Sequence, residues 1–164
     1  MFDKDLVAEV GASLFRRLDT LAVAESVTAG LLQAAMASAE NASIFFQGGI
    51  TVYNARQKYL HLDVDIHDAL SSNSVSDAIA QKMALQAAKI FRSDWGIGIT
   101  GYASALPGHD MDPLFANFAM SYKNEIIRAG VLTAHETEPA EVQTLYVNQV
   151  LAELAGAIRE IEKR

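Results

Sequence analysis

Leu6, Val10, Leu14 and Leu18 recur every four residues, with Val7 beside them. That spacing draws one apolar stripe along a helix over about residues 3–18. Asp19 breaks the stripe, and residues 20–25 then read as a short buried strand. The apolar run stops at Glu25-Ser26. A turn of polar and small residues follows (Ser26, Thr28, Ala29, Gly30), and a helical pattern resumes over 30–39, with Ser26 or Thr28 as its candidate cap. Residues 44–53 are β-branched and aromatic and predict a strand, in which Gly48-Gly49 marks a bulge or a close backbone approach. Helices are predicted over 55–62 and 77–91. Ser76 is the cap of the second, and Ile79, Met83 and Ala87 are its stripe. Residues 95–100 read as a strand and 102–113, with glycine and proline, as a loop. Lys123-Asn124 separates two strand-like runs, 114–122 and 125–133, as a hairpin turn would. Pro139 opens a last helix as its first residue, running towards Glu162.

Strands alternate with helices until the hairpin intrudes. The pattern predicts an α/β sandwich whose sheet is mixed and mainly parallel, with about five strands and one antiparallel member. At 164 residues the simplest expectation is one domain over 1–164. Ligands in such sheets bind beyond the carboxyl ends of the strands, so the turns after Glu25, Tyr53 and Thr100 are the places to look.

Composition narrows the classes. No apolar run approaches the roughly 20 residues that span a membrane, and Met1-Phe-Asp-Lys-Asp does not open a signal peptide. The chain has no cysteine, hence no disulfide, thiolate metal site or cysteine nucleophile. The cytoplasm is the expected location. A net charge of −7, with the 13 basic residues scattered, argues against nucleic acid and weighs against strongly anionic substrates. The expected partner is a small molecule. The apolar content leaves room for a homo-oligomer interface, which the sequence does not locate.

The turn after Glu25 places hydroxyls and free backbone N–H groups together at a helix start, which suits an anion, an oxyanion or a serine nucleophile. Ser26 either caps the helix or attacks a substrate. The second role needs a base. His61, His67 and His135 read as surface residues with no metal-ligand spacing, and His109, in the loop after Thr100, is an outside candidate. Lys58 follows the strand ending at Tyr53 by just over one helical turn, which points it back at that strand's end. It is either a solvated helix lysine or a base whose pKa burial has lowered. Tyr53 either packs or relays a proton. Thr100 and Gly101 offer a hydroxyl and backbone N–H groups to a developing oxyanion.

Taken in order, Ala24-Glu-Ser-Val-Thr-Ala-Gly30, Phe46-Gln-Gly-Gly-Ile-Thr-Val-Tyr53, Lys58, Val75-Ser76 and Gly98-Ile-Thr-Gly101 resemble the CinA C-terminal domain family. That family includes stand-alone nicotinamide mononucleotide deamidases. The resemblance covers roughly residues 5–160 and is strong up to Gly101. It implies a three-layer α/β/α sandwich and a serine–lysine amidohydrolysis that yields nicotinic acid mononucleotide and ammonia, with no metal and no cofactor. Ser26, Lys58 and Tyr53 fall on the family's catalytic positions. Glu25, Thr28, Gly30, Gly48, Gly49, Thr100 and Gly101 fall on motif positions expected to bind substrate, a pyridine nucleotide or nucleoside. The chain departs from the pattern where Val27 and Ala29 replace cysteine and glycine, and where Tyr102 to Gly108 replaces a glycine-rich loop. It departs again at His135-Glu-Thr-Glu-Pro-Ala-Glu-Val-Gln143, which stands where members carry arginines able to meet a phosphate. Carboxylates there turn attraction into repulsion. The alternative expectation is a catalytically inactive binding or regulatory module that keeps the fold.

Overall fold

The computed structural model describes residues 1–136 and 138–163. Its sheet contains β1 (Leu21–Glu25), β2 (Phe46–Thr51), β3 (Trp95–Gly101), β4 (Leu114–Tyr122) and β5 (Glu125–Ala134), in the order β2-β1-β3-β4-β5. β1 is parallel to β2 and β3, while β4 is antiparallel to β3 and β5. Four strands therefore run one way and β4 alone opposes them, as the late hairpin predicts. Lys123 and Asn124 both take positive φ, 50° and 67°, the handedness that lets a two-residue turn follow the twist of its strands.

Helices cover both faces. α1 (Lys4–Arg17), α2 (Leu31–Ala37), α3 (Ala42–Phe45) and α7 (Pro139–Glu162) lie on one side; α4 (Ala55–Leu62), α5 (Ile66–Ser71) and α6 (Asp77–Phe91) lie on the other. Alternation along β1 feeds both cores. Leu21 and Val23 pack with α1 and α7, while Ala22 and Ala24 pack with Leu62, Ile79 and Met83. The same alternation on β3 turns Ile97 and Ile99 to the first core and two glycines to the second. A β-carbon at Gly96 would stand 2.1 Å from the Ala84 carbonyl oxygen, and one at Gly98 2.2 Å from that of Ala80. These glycines let α6 lie directly on the sheet. That contact sets the start of α6 beside the carboxyl end of β3.

The predicted elements are present, with shifted edges. Asp3 caps α1 by accepting from the Asp5 and Leu6 amides, and Ser76 caps α6 by accepting from that of Ile79. The strand expected from residue 44 begins at Phe46, after a single turn of helix. Phe46 pairs with Leu21 and Gly48 with Ala22, so Gln47 is the extra residue of a bulge. The sequence reading missed α5, whose 6 residues are too few for a periodic stripe. Its signal was Asp65, which accepts from the His67 and Asp68 amides. No helix is long and apolar enough to cross a membrane among the described residues.

Candidate active site

The turn after β1 is built around Glu25. Its carboxylate is fully buried and accepts from the Thr28 hydroxyl (2.5 Å) and from the amides of Gly30 (3.2 Å), Leu32 (2.9 Å) and Gln33 (2.8 Å). Those amides are the orphan donors of the first turn of α2, so an anion answers them. This corrects two expectations. Neither Ser26 nor Thr28 caps α2, and Glu25, with its carboxylate filled, has nothing left for a substrate. The chain gets back to the helix through Ala29 at φ 51° and Gly30 at φ 98°. Glycine adopts this region freely; for alanine it costs about 1 kcal/mol. The Ser26 amide donates to the Ile99 carbonyl at 3.0 Å, and Gln143 Nε2 donates to the Val27 carbonyl at 2.9 Å. The Val27 and Thr28 amides meet no acceptor among the described residues.

With its capping role taken, the Ser26 hydroxyl faces α4. Asn54 starts that helix by accepting from the Gln57 amide at 3.1 Å. Lys58 therefore sits just past the first turn, and its side chain runs back to the strand ends. Its Nζ donates to Ser26 Oγ at 2.9 Å and to the Val52 carbonyl at 3.1 Å. Lys58 is 1% exposed, and none of the ion pairs among the described residues includes it. Burial without a counter-charge lowers its pKa from 10.5 to about 8. About one molecule in ten then carries a neutral amine at pH 7, which is enough to take a proton.

Ser26 and Lys58 open onto a cavity of about 660 Å³, within the range of small-molecule sites. Tyr53, Thr100 and Gly101 also line it, so the structure brings together five of the residues singled out from sequence. Tyr53 stands at the mouth, 67% exposed. Thr100 is placed differently from expectation: its hydroxyl donates to the Ser74 carbonyl at 2.6 Å, which removes it as an oxyanion donor. Thr28 and Gly30 belong to the Glu25 scaffold. Gly48 and Gly49 lie in β2 outside the cavity lining, packed towards Phe91 and towards Val23 and Gln33 respectively. His109 is exposed and outside the lining. Among the described residues no cluster of three or more His, Cys, Asp or Glu side chains is placed to hold a metal ion.

Other wall residues were not expected from the sequence. Asn73 and Ser74 take consecutive positive φ values of 50° and 62°, and Asn73 Nδ2 donates to the Tyr102 hydroxyl at 3.3 Å. Strain of this kind gathers at functional walls. Gln143 reaches the cavity from α7, and Tyr146 on the same helix donates to the Tyr102 carbonyl at 3.1 Å. Asn54 had a local signal that went unused: an asparagine directly before the helix expected over 55–62 is a cap candidate. Gln143, one polar residue on a long helix, carried no local signal.

The profile of the CinA C-terminal domain matches residues 3–158. The chain belongs to this family. A putative competence-damage inducible protein of Streptococcus pneumoniae (strain ATCC 700669 / Spain 23F-1) is 37% identical over 131 residues, which is 79% of this chain and 31% of that protein. The chain thus spans about a third of the length of the curated relatives it matches. Among solved structures, a competence or damage-inducible protein from Enterobacter asburiae superposes with a TM-score of 0.84 at 26% identity, covering 96% of this chain and 99% of that one. A CinA superfamily protein from Klebsiella pneumoniae 700603 has the same TM-score at 24% identity, covering 96% and 98%, and speaks for the fold alone. The three-layer arrangement is that of the CinA C-terminal domain.

Proposed function

We propose that this CinA domain is a serine amidohydrolase acting on the carboxamide of a nicotinamide nucleotide or nucleoside, with Ser26 as nucleophile and Lys58 as its base. One observation carries the reading: a buried lysine with no counter-charge donates to a serine hydroxyl at 2.9 Å on a cavity wall. A structural lysine gains nothing from that placement, because desolvating an ammonium costs several kcal/mol. A base gains a usable pKa.

In the neutral form, Lys58 accepts the Ser26 proton as Oγ attacks the carboxamide carbon. The carbonyl oxygen becomes an oxyanion beside the Val27 amide, the donor that follows the nucleophile. Lys58 returns its proton to the departing nitrogen, the C–N bond breaks, and ammonia leaves an ester on Ser26. Water then attacks that ester, gives a proton to Lys58, and releases the carboxylic acid with Ser26 restored. Tyr53, at the mouth, contacts the substrate and orients it. Protonated Lys58 cannot begin the cycle, so kcat/KM rises with pH through about 8 and levels above it.

The test is ammonia release from nicotinamide mononucleotide by the wild type, Ser26→Ala and Lys58→Ala. Turnover by the wild type, lost in both variants while each stays folded, supports the assignment. Absence of turnover from folded wild type, on this and related carboxamides, returns the domain to the reading of a binding module.

A further inference from the structure

We infer that the cavity takes its carboxamide on a molecule that carries no phosphate, a nucleoside rather than a nucleotide; the inference rests on the hydrolase reading above. Of the 21 described residues that line the cavity, Lys58 alone bears a charge at neutral pH. Both of its hydrogen bonds go to the protein, to Ser26 and to the Val52 carbonyl. A phosphate held on Nζ would keep Lys58 protonated and end its use as a base. The other polar side chains of the wall are all neutral, Asn54, Asn73, Gln143 and the phenols of Tyr53 and Tyr102 among them. They fit hydroxyls, an amide and an aromatic or cationic ring. None supplies a counter-charge.

The helix end at the rim does not supply one either. α7 presents Pro139 to the cavity, which has no N–H to offer. Glu138 is the N-cap, with no side-chain hydrogen bond to the helix amides, and Glu141 stands in the first turn, so negative charge already lies beside the positive end of the helix. Burial, and after it the charge of Glu136, holds the Tyr146 hydroxyl in its neutral form, and that hydroxyl donates to the carbonyl of the wall residue Tyr102. Arg56 lies on the exposed side of α4, whereas Ala55 and Lys58 are the positions of that helix that reach the cavity. A dianion would leave water for a neutral wall flanked by carboxylates, in a chain of net charge −7.

The experiment compares ammonia release from nicotinamide riboside and from nicotinamide mononucleotide at low and high salt. It also measures binding of both to Ser26→Ala by calorimetry. The expected result is a kcat/KM at least about tenfold higher for the riboside, with a mononucleotide KM that falls as salt screens the repulsion. Preference for the mononucleotide, with a KM that rises with salt, overturns the inference and leaves the hydrolase reading standing. Turnover of neither compound defeats the hydrolase reading, and calorimetry then decides the inference. Tighter riboside binding supports it; tighter mononucleotide binding, or binding of neither, overturns it.

Discussion

At the amino ends of β1 and β3, Asp19 accepts from Arg17 Nε at 2.7 Å and from the Trp95 indole at 3.1 Å, and Asp94 accepts both the amide and the hydroxyl of Thr20 at 2.8 Å. Beyond the carboxyl ends of β1 and β2, Lys58 lies deeper than Asp19 but finds only the Ser26 hydroxyl and the Val52 carbonyl among the described residues. Both regions bury polar groups on one sheet, and both are hydrogen-bonded. They differ in whether the most deeply buried charge meets an opposite one: Asp19 faces the Arg17 guanidinium, and Lys58 meets no carboxylate among the described residues. A matched charge holds its proton state and ties chain segments together. An unmatched one is held near the point of changing state, which costs stability and permits proton transfer.

Substitutions at the two ends should therefore fail in different ways. The largest effect is expected at the unmatched end. Ser26→Ala and Lys58→Ala should each lower kcat/KM for the carboxamide by about 10³-fold or more. Lys58→Arg should not rescue, because a guanidinium cannot give up its proton. Asp19→Ala, at the matched end, should leave kcat/KM within about twofold and lower unfolding stability by roughly 2 kcal/mol, since it leaves the Trp95 N–H unpaired and takes the counter-charge from Arg17, which keeps its bond to the Tyr122 hydroxyl. Chemical denaturation and steady-state kinetics on the same preparations separate the two outcomes.

A smaller effect has the opposite sign. Lys58→Met should raise stability at pH 7 by about 2 kcal/mol while abolishing activity, because it removes a charge that folding must desolvate. The wild type should also show a pH dependence that this variant lacks. The folded pKa of about 8 lies below the reference value of 10.5, so the unfolded chain binds the extra proton between those values. Wild-type stability then rises with pH across that window, and the cost is full below about 8. Urea titrations at pH 7, 8 and 9.5 on both proteins check the sign. The smallest effect belongs to the rim. Glu136→Gln with Glu138→Gln should lower the mononucleotide KM by only about two- to threefold, because exposed charges are screened.

The direction of the strands was legible because strands alternating with helical stripes favour parallel pairing and a two-residue turn forces a reversal, whereas their order in the sheet, β2-β1-β3-β4-β5, came from the structure alone. Ser26 and Lys58 were legible as a pair through their places after two neighbouring strands. The partner of Glu25 was not. A carboxylate that caps the helix five residues later looks, in sequence, like one more polar residue in a binding turn. Thr100 misled for a related reason: a hydroxyl at a strand end offers itself equally to a ligand and to the Ser74 carbonyl, and only packing chooses. Gln143 reaches the site from 116 residues beyond Val27, a distance no local pattern spans. The role expected of the acidic approach to α7 belongs to the proposals above, and Thr137 within it lies outside the described residues.

The central claim is that Lys58 is a neutral-capable base held against Ser26, and it can be tested without any substrate. Lysine side chains labelled with ¹³C and ¹⁵N, with Lys58→Met supplying the assignment, would be titrated by NMR. A Lys58 resonance that titrates near pH 8, and shifts in Ser26→Ala, is the predicted result. Titration near the ordinary 10.5 would mean that the amine is solvated and stays protonated, and would contradict the account.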